Sequence, residues 1–219
     1  EHHSFLAQLH LDLIDQHTAA INQLTQRIEE VMEPFRGFHD LIRTIPGIGP
    51  MTADVIVAET GADMSTFPSG KHLASWAGTT PGNNESAGKV KSSRTRPGNP
   101  YLQGALGVAA MSIARAPGTY LNARYRRIAT RRGPQKANVA IQHALLVTIW
   151  TMGTTGAVYD DPGADYYTRR RPEQAKQRAI HQLEAMGFHV TLDHATCPQP
   201  RDHSRGIFTS VCRRRCAIR

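Results

Sequence analysis

The sequence predicts a mainly α-helical protein, built as a helical coiled-coil segment, a compact helical domain containing a helix-hairpin-helix element, and a small C-terminal α/β appendage. Three observations predict this fold class. Apolar residues recur at helical spacing from Phe5 to Met32, a glycine hairpin joins two helical runs between Leu41 and Glu59, and three further helical runs fill residues 101–152. The composition agrees: of 219 residues 40% are hydrophobic and 20% charged, which excludes collagen-like and wholly disordered chains. No apolar run approaches the roughly 18 residues of a membrane-spanning helix. The first residues, Glu1-His2-His3-Ser4, lack the basic start of a signal peptide. The expectation is therefore a cytoplasmic chain with no membrane partner, and the missing initial methionine points to a fragment or a processed product.

Taken in order, Ile14, Ile21 and Ile28 occupy one heptad position and His17, Leu24 and Val31 another, which predicts a coiled-coil or assembly segment over residues 1–36. Leu6, Leu9 and Leu13 form an earlier, offset stripe, and an ordinary amphipathic helix lying on its own domain fits the pattern equally. Pro34 and Gly37 are expected to end this helix. A second domain is expected over 38–155. It begins with Ile45-Pro46-Gly47-Ile48-Gly49-Pro50, where glycines would let backbone come close to a phosphate and free N–H groups of the following helix would bind it. A hairpin used only for packing is the alternative. Phe67-Pro68-Ser69-Gly70 opens a short helix that Gly78 ends. Thr79 to Gly98 is polar and far longer than the usual connection, so it reads as a functional or disordered loop. Helices follow at about Tyr101–Arg115, Thr119–Arg132 and Pro134–Met152, and Gly153–Gly163 is expected to break the pattern. The appendage, 156–193, is expected to hold a helix over Pro172–Met186 and a short strand over Phe188–Leu192; residues 194–219 are expected to be a disordered basic tail.

Charge is distributed unevenly. The chain carries a net +8 with 26 Lys plus Arg. Residues 1–70 hold three basic and ten acidic residues, so the excess lies entirely in the remainder. From Ser86 to Tyr159 there is no Asp or Glu, while Lys89, Lys91, Arg94, Arg96, Arg115, Arg124, Arg126, Arg127, Arg131, Arg132 and Lys136 all fall there. An acid-free basic stretch of this kind fits a phosphate backbone, each contact releasing counterions. Arg124, Arg126 and Arg127 are interleaved with Tyr120 and Tyr125 on one helix, which suits nucleic acid and also suits a tyrosine-backed core face.

The basic stretch cannot supply the converging carboxylates of a two-metal nuclease. Asp160, Asp161 and Asp165, set among Pro162 and Gly163, read as a solvated turn, so no metal site is expected in this chain. The stretch does supply hydroxyls. Ser86 precedes Ala87-Gly88-Lys89, with Lys91, Arg94 and Arg96 close by, so fixed positive charge could stabilise an alkoxide and a pentacovalent phosphate. Taken on spacing alone, Ser86 as an ordinary loop hydroxyl or phosphate donor is the stronger reading. In the tail, His194, Cys197, Cys212 and Cys216 are loosely spaced like a zinc site, while the prolines and arginines around them favour disorder.

The ordered series Ile45-Pro46-Gly47-Ile48-Gly49-Pro50, Leu73-Ala74-Ser75-Trp76-Ala77-Gly78, Pro81-Gly82-Asn83-Asn84-Glu85-Ser86-Ala87-Gly88-Lys89 and Arg94-Thr95-Arg96-Pro97-Gly98-Asn99-Pro100 resembles the C-terminal transposase domain of the IS-one-ten family of insertion sequences. The likeness runs from about Phe5 to Leu192 and includes Gly163-Ala164-Asp165-Tyr166-Tyr167, a motif of one branch. It implies a DNA transposase that cleaves and rejoins strands through a serine nucleophile, guided by a structured bridge RNA. That serine falls on Ser86. The resemblance implies a homo-oligomer, with the coiled coil as one interface. It also implies an N-terminal RuvC-like domain whose carboxylates bind magnesium; that half is not in this sequence, so the fragment by itself is expected to be inactive. Lys89, Lys91, Arg94 and Arg96 would hold the phosphate, and Gly47 and Gly49 would admit nucleic acid to the backbone. The rival is a non-catalytic helix-hairpin-helix module for binding nucleic acid.

Overall fold

In the computed structural model, which describes residues 2–82 and 84–192, the chain is mainly helical. The helices are α1 (His2–Met32), α2 (Arg36–Arg43), α3 (Pro50–Thr60), α4 (Gly70–Trp76), α5 (Pro100–Arg115), α6 (Tyr120–Arg132), α7 (Pro134–Thr155), α8 (Tyr166–Arg170) and α9 (Pro172–Ala185). A two-stranded antiparallel sheet, β1 (Asn84–Ser86) and β2 (Lys89–Ser92), stands between α4 and α5. The chain separates into two compact units, one ending at Pro172 and one starting at Glu173; α9 belongs to the second. No helix is long and apolar enough to cross a membrane among the described residues.

The core is built on α7, which packs against α4, α5 and α6 and also meets α2. Its buried residues Ile141, Leu145, Leu146 and Ile149 face Leu73, Leu102 and Leu106 in one continuous cluster. Full burial of each such side chain contributes about 1.5–3 kcal/mol, which is what holds short helices together here. Gly70 lets α4 approach closely: a Cβ there would meet the Val147 Cα at 3.0 Å. The Trp150 indole N–H donates to the Phe67 carbonyl at 2.9 Å and anchors the chain entering α4.

Helix ends follow their local chemistry. The Asn99 side chain accepts from the Leu102 N–H at 3.0 Å, with Pro100 at the first position of α5. The Thr119 hydroxyl does the same for Asn122 at 3.2 Å. Gly133, at φ +87°, both ends α6 and starts α7. The buried Asn122 amide donates to the Ile113 and Ala114 carbonyls at 2.7 and 3.1 Å, satisfying the last turn of α5.

Several expectations change. Helix α1 does end at Met32, ahead of Pro34, but Gly37 breaks nothing: residues Glu33–Phe35 form one 3-10 turn, and Gly37 lies inside α2. Gly153 does not break α7, which runs to Thr155; the Gly153 position lies so close to Met64 and Phe38 that no larger residue fits without movement. The polar stretch after Gly78 contains a β-hairpin. Phe188–Leu192 forms no strand, and among the described residues it has no strand to pair with, so the appendage is helical where described and not α/β. The tail with His194, Cys197, Cys212 and Cys216 lies outside the described residues.

The first helix differs from the rest. None of its residues is buried, and Phe5, Leu9, Ile14, Ile21, Leu24 and Ile28 are all exposed. Its apolar stripe has no partner within the described residues of this chain.

Candidate nucleic-acid interface and its serine

The excursion from Thr79 to Gly98 begins and ends at one point. The Gln103 side chain donates to the Ala77 carbonyl at 2.8 Å, and Thr79 donates to the Ala74 carbonyl through both its N–H and its hydroxyl, at 3.0 and 2.9 Å. Further out, Gly82 N–H donates to the Arg94 carbonyl at 2.9 Å and Pro81 pairs with Thr95. The hairpin then continues to a two-residue turn at Ala87 and Gly88, with φ of +51° and +74°. Two successive positive φ values make the mirror-image turn whose twist matches paired strands.

Ser86 is the last residue of β1, directly opposite Lys89. Residues opposite one another in an antiparallel pair project to the same face, so the Ser86 hydroxyl and the Lys89 ammonium share one side of the hairpin tip. Both are exposed, and the Ser86 hydroxyl makes no hydrogen bond with a described residue. A register shift lies between Asn84 and Glu85, which leaves Lys91 as the extra residue of β2. Arg94 has its N–H on the Ser92 hydroxyl at 3.1 Å and its side chain exposed; Arg96 is exposed as well. The hairpin thus gathers Ser86, Lys89, Lys91, Arg94 and Arg96 on a single excursion.

The glycine turn between α2 and α3 is separate from it. Gly47, at φ +92°, lies against α5, where a Cβ would meet the Ile113 side chain at 2.6 Å and the Ala109 carbonyl at 3.0 Å. That contact gives Gly47 a packing reason that needs no ligand. Gly49 is exposed at the start of α3, ahead of Pro50, and its surroundings are open. His39, buried on α2, sits 3.2 Å from Asp54 on α3 and 3.1 Å from Asp40, and so ties the two helices across this turn.

On α6 the three arginines part company. Arg124 is half-buried and reaches the Tyr120 hydroxyl at 3.4 Å. Arg127, three residues on and on the same face, stacks over the Tyr167 ring at 4.5 Å. Arg126 is exposed to solvent. Tyr120 meets Tyr166 edge-on at 4.9 Å and Tyr167 in a stacked arrangement at 5.8 Å. The motif Asp165-Tyr166-Tyr167 therefore serves to close over α6. Asp161 is no solvated turn residue: its Oδ1 accepts from the Tyr120 N–H at 2.9 Å and the Gly163 N–H at 2.7 Å, while its Oδ2 is buried without a partner among the described residues. No group of three or more His, Cys, Asp or Glu side chains converges among the described residues.

A cavity of about 550 Å³ lies between the base of the excursion and the helices α6 and α7. Arg94, Arg124, Lys136 and His143 line it, so the structure brings Arg94 together with Arg124 although they are far apart in sequence. The sequence marks Lys136 only as one of the basic stretch and does not mark His143. Their signal was present: Lys136, Ala140 and His143 stand at helical spacing on one face of α7. Burial, with the Arg124 and Lys71 charges adding to it, holds the His143 imidazole below its usual pKa. None of Arg94, Arg124 and Lys136 forms an ion pair with a described carboxylate, so the positive field at this cavity is uncompensated.

Residues 39–126 match the transposase IS116/IS110/IS902 family. Among curated relatives, the "Putative transposase y4pF/y4sB" of Sinorhizobium fredii (strain NBRC 101917 / NGR234) is 29% identical over 165 residues, which cover 70% of this chain and 42% of the relative. The chain thus spans well under half of that relative's length. The match covers the glycine turn, the whole hairpin with Ser86 and the first half of α6. Over residues 39–126, then, the chain is similar to the transposase IS116/IS110/IS902 family.

Proposed function

We propose that this domain is the strand-cleaving and strand-joining part of a DNA transposase, with Ser86 as its nucleophile. The observation that carries this reading is the placement of Ser86: an exposed hydroxyl at the end of a short paired strand, facing Lys89, on an excursion whose other charged side chains are cationic apart from Glu85. In the step, the Ser86 Oγ bonds to the scissile phosphorus and the bond from phosphorus to the leaving-strand oxygen breaks. The serine proton ends on that oxygen. Lys89, Lys91, Arg94 and Arg96 stabilise the charge on the pentacovalent phosphate. Arg124, Arg126 and Arg127 contact the nucleic-acid backbone, and Gly49 offers it the free N–H groups that start α3.

The partners in this reading are DNA, a structured guide RNA and further copies of the chain. The exposed apolar stripe of α1 supports self-association, since a soluble helix with that pattern needs a covering surface. Magnesium in this reading belongs to an N-terminal RuvC-like domain; among the described residues no group of three or more His, Cys, Asp or Glu side chains converges.

The test is Ser86→Ala in a chain joined to its upstream coding region, supplied with its RNA and a DNA carrying the element ends. The expected outcome is loss of all strand cleavage and of any serine–DNA adduct detected by mass spectrometry, with DNA binding retained. Unchanged cleavage would remove Ser86 from the mechanism. One observation favours a second reading, a binding module without chemistry: the Ser86 hydroxyl has no described hydrogen-bond partner that could act as its base. In that case wild-type protein binds DNA and produces no adduct at all.

A further inference from the structure

The cavity beneath the hairpin has features that backbone contacts alone do not explain. Its charged rim is made by Arg94, Arg124 and Lys136, from three different elements, and none of them is paired with a carboxylate among the described residues. Part of its remaining wall is apolar, formed by Pro81, Val139 and Ala140, beside the polar Thr79, Gln135 and His143. A phosphate needs only the cations. An apolar surface set between cations suits a flat, weakly polar ring attached to a phosphate. The volume, about 550 Å³, lies within the roughly 300–1,000 Å³ usual for sites that enclose a small molecule. The cavity is also held in shape before any ligand arrives, because Pro81 pairs with Thr95, and Gly82 bonds to Arg94, on one side, while α6 and α7 join directly at Gly133 on the other.

We propose that this cavity takes one unpaired nucleotide of the DNA strand, its base lying on Pro81 and Val139 and its phosphate held by Arg94, Arg124 and Lys136. Its position suits the reaction. Pro81 and Ser86 are five residues apart, a reach of at most about 17 Å at ~3.4 Å per residue, so the cavity holds a base within a few nucleotides of the bond at Ser86. A base taken out of the stack leaves a flexible gap beside the cut, and its cost is repaid by stacking and by the charged rim. The proposal rests on the nucleic-acid-binding part of the proposed function and not on the serine step.

The experiment measures binding by the full chain carrying Ser86→Ala, which separates it from the chemistry. Three labelled DNAs are compared: a perfect duplex, the same duplex with one extra unpaired thymidine, and the same with one extra abasic residue. The expected result is that the unpaired thymidine tightens binding about fivefold to a hundredfold over the perfect duplex, the range that base stacking supports. The abasic residue should gain little. Val139→Trp, which fills the apolar wall, should abolish the preference and leave affinity for the perfect duplex within about twofold, a difference of ~0.4 kcal/mol. Lys136→Glu, at an exposed position that does not challenge the fold, should lower affinity for the thymidine-bulged DNA more than for the perfect duplex. Equal affinity for all three DNAs overturns the proposal while leaving the proposed function standing. A gain with the abasic DNA equal to that with thymidine overturns the role of the base. Binding to none of the DNAs overturns both readings.

Discussion

Gly78 and Gly98 lie back to back at the neck of the hairpin excursion: a Cβ on Gly98 would sit 2.5 Å from the Gly78 nitrogen and 2.4 Å from the Ala77 carbonyl carbon. Those atoms are backbone, so they cannot swing aside as a flexible side chain would. The prediction is that Gly98→Ala lowers stability by about 1–3 kcal/mol, as an overpacked site does, and loosens the strands beyond it. Thermal unfolding together with limited proteolysis between Pro81 and Thr95 checks this; an unchanged melting temperature and an uncut hairpin would show that the neck has slack.

The buried Asn122 amide answers for two carbonyls at the end of α5. Removing it takes this donor from both and leaves the buried end of α5 with only the Ala116 N–H, 3.3 Å from the Ile113 carbonyl. Asn122→Ala is expected to cost about 1–3 kcal/mol, read as a shift in urea midpoint with little change in slope.

The Tyr159 hydroxyl is buried without a hydrogen-bond partner among the described residues, and burial first, then the Asp161 charge, pushes its pKa from the usual 10.0 to about 12. The folded state therefore keeps the phenolic proton longer than the unfolded chain does. Stability linked to this group is whole below pH 10 and is lost as the pH rises towards 12. Tyr159→Phe is expected to remove that part of the alkaline loss and to raise stability near neutrality by about 1 kcal/mol, since it discards a hydroxyl that bonds to nothing. Parallel alkaline denaturation curves for the two proteins would refute it.

Because α1 contributes no buried residue, changes on its stripe should leave the core untouched. Ile21→Asp combined with Leu24→Asp is expected to abolish self-association in sedimentation while leaving the melting temperature of the remaining domain unaltered. A collapse of that melting temperature would mean that α1 packs on its own domain.

Ala87 adopts φ +51°, a region that costs a residue with a side chain about 1–2 kcal/mol. Ala87→Gly should relieve that cost and sharpen the hairpin resonances in NMR spectra, and Ala87→Val should blur them.

The contrast between helix and hairpin shows what the sequence could tell. Helices α1, α5, α6 and α7 announce themselves through apolar spacing and through caps such as Asn99 and Thr119. The hairpin does not: β1 and β2 are three and four residues long and mostly polar, so no alternation marks them, and pairing with each other supplies their order. The reverse error occurs at Phe188–Leu192, whose alternation suggests a strand that no described neighbour completes. Gly153 misleads for a third reason. Its size answers to Met64 and Phe38, which are distant in sequence. The acid-free basic stretch could be seen at once, but its division between the hairpin and the cavity could not, because Arg94 and Arg124 meet only through the packing of the excursion on α6 and α7.

The joint at Gly133 has a consequence for how selective the cavity wall can be. One residue is at once the end of α6 and the beginning of α7, so there is no spare length by which the helix bearing Arg124 could draw away from the helix bearing Lys136. The gap between them is set when the chain folds and does not wait for a ligand. Whatever enters meets a gauge of fixed width, one that spares it the entropy of ordering a loop and turns away larger shapes by refusing to widen.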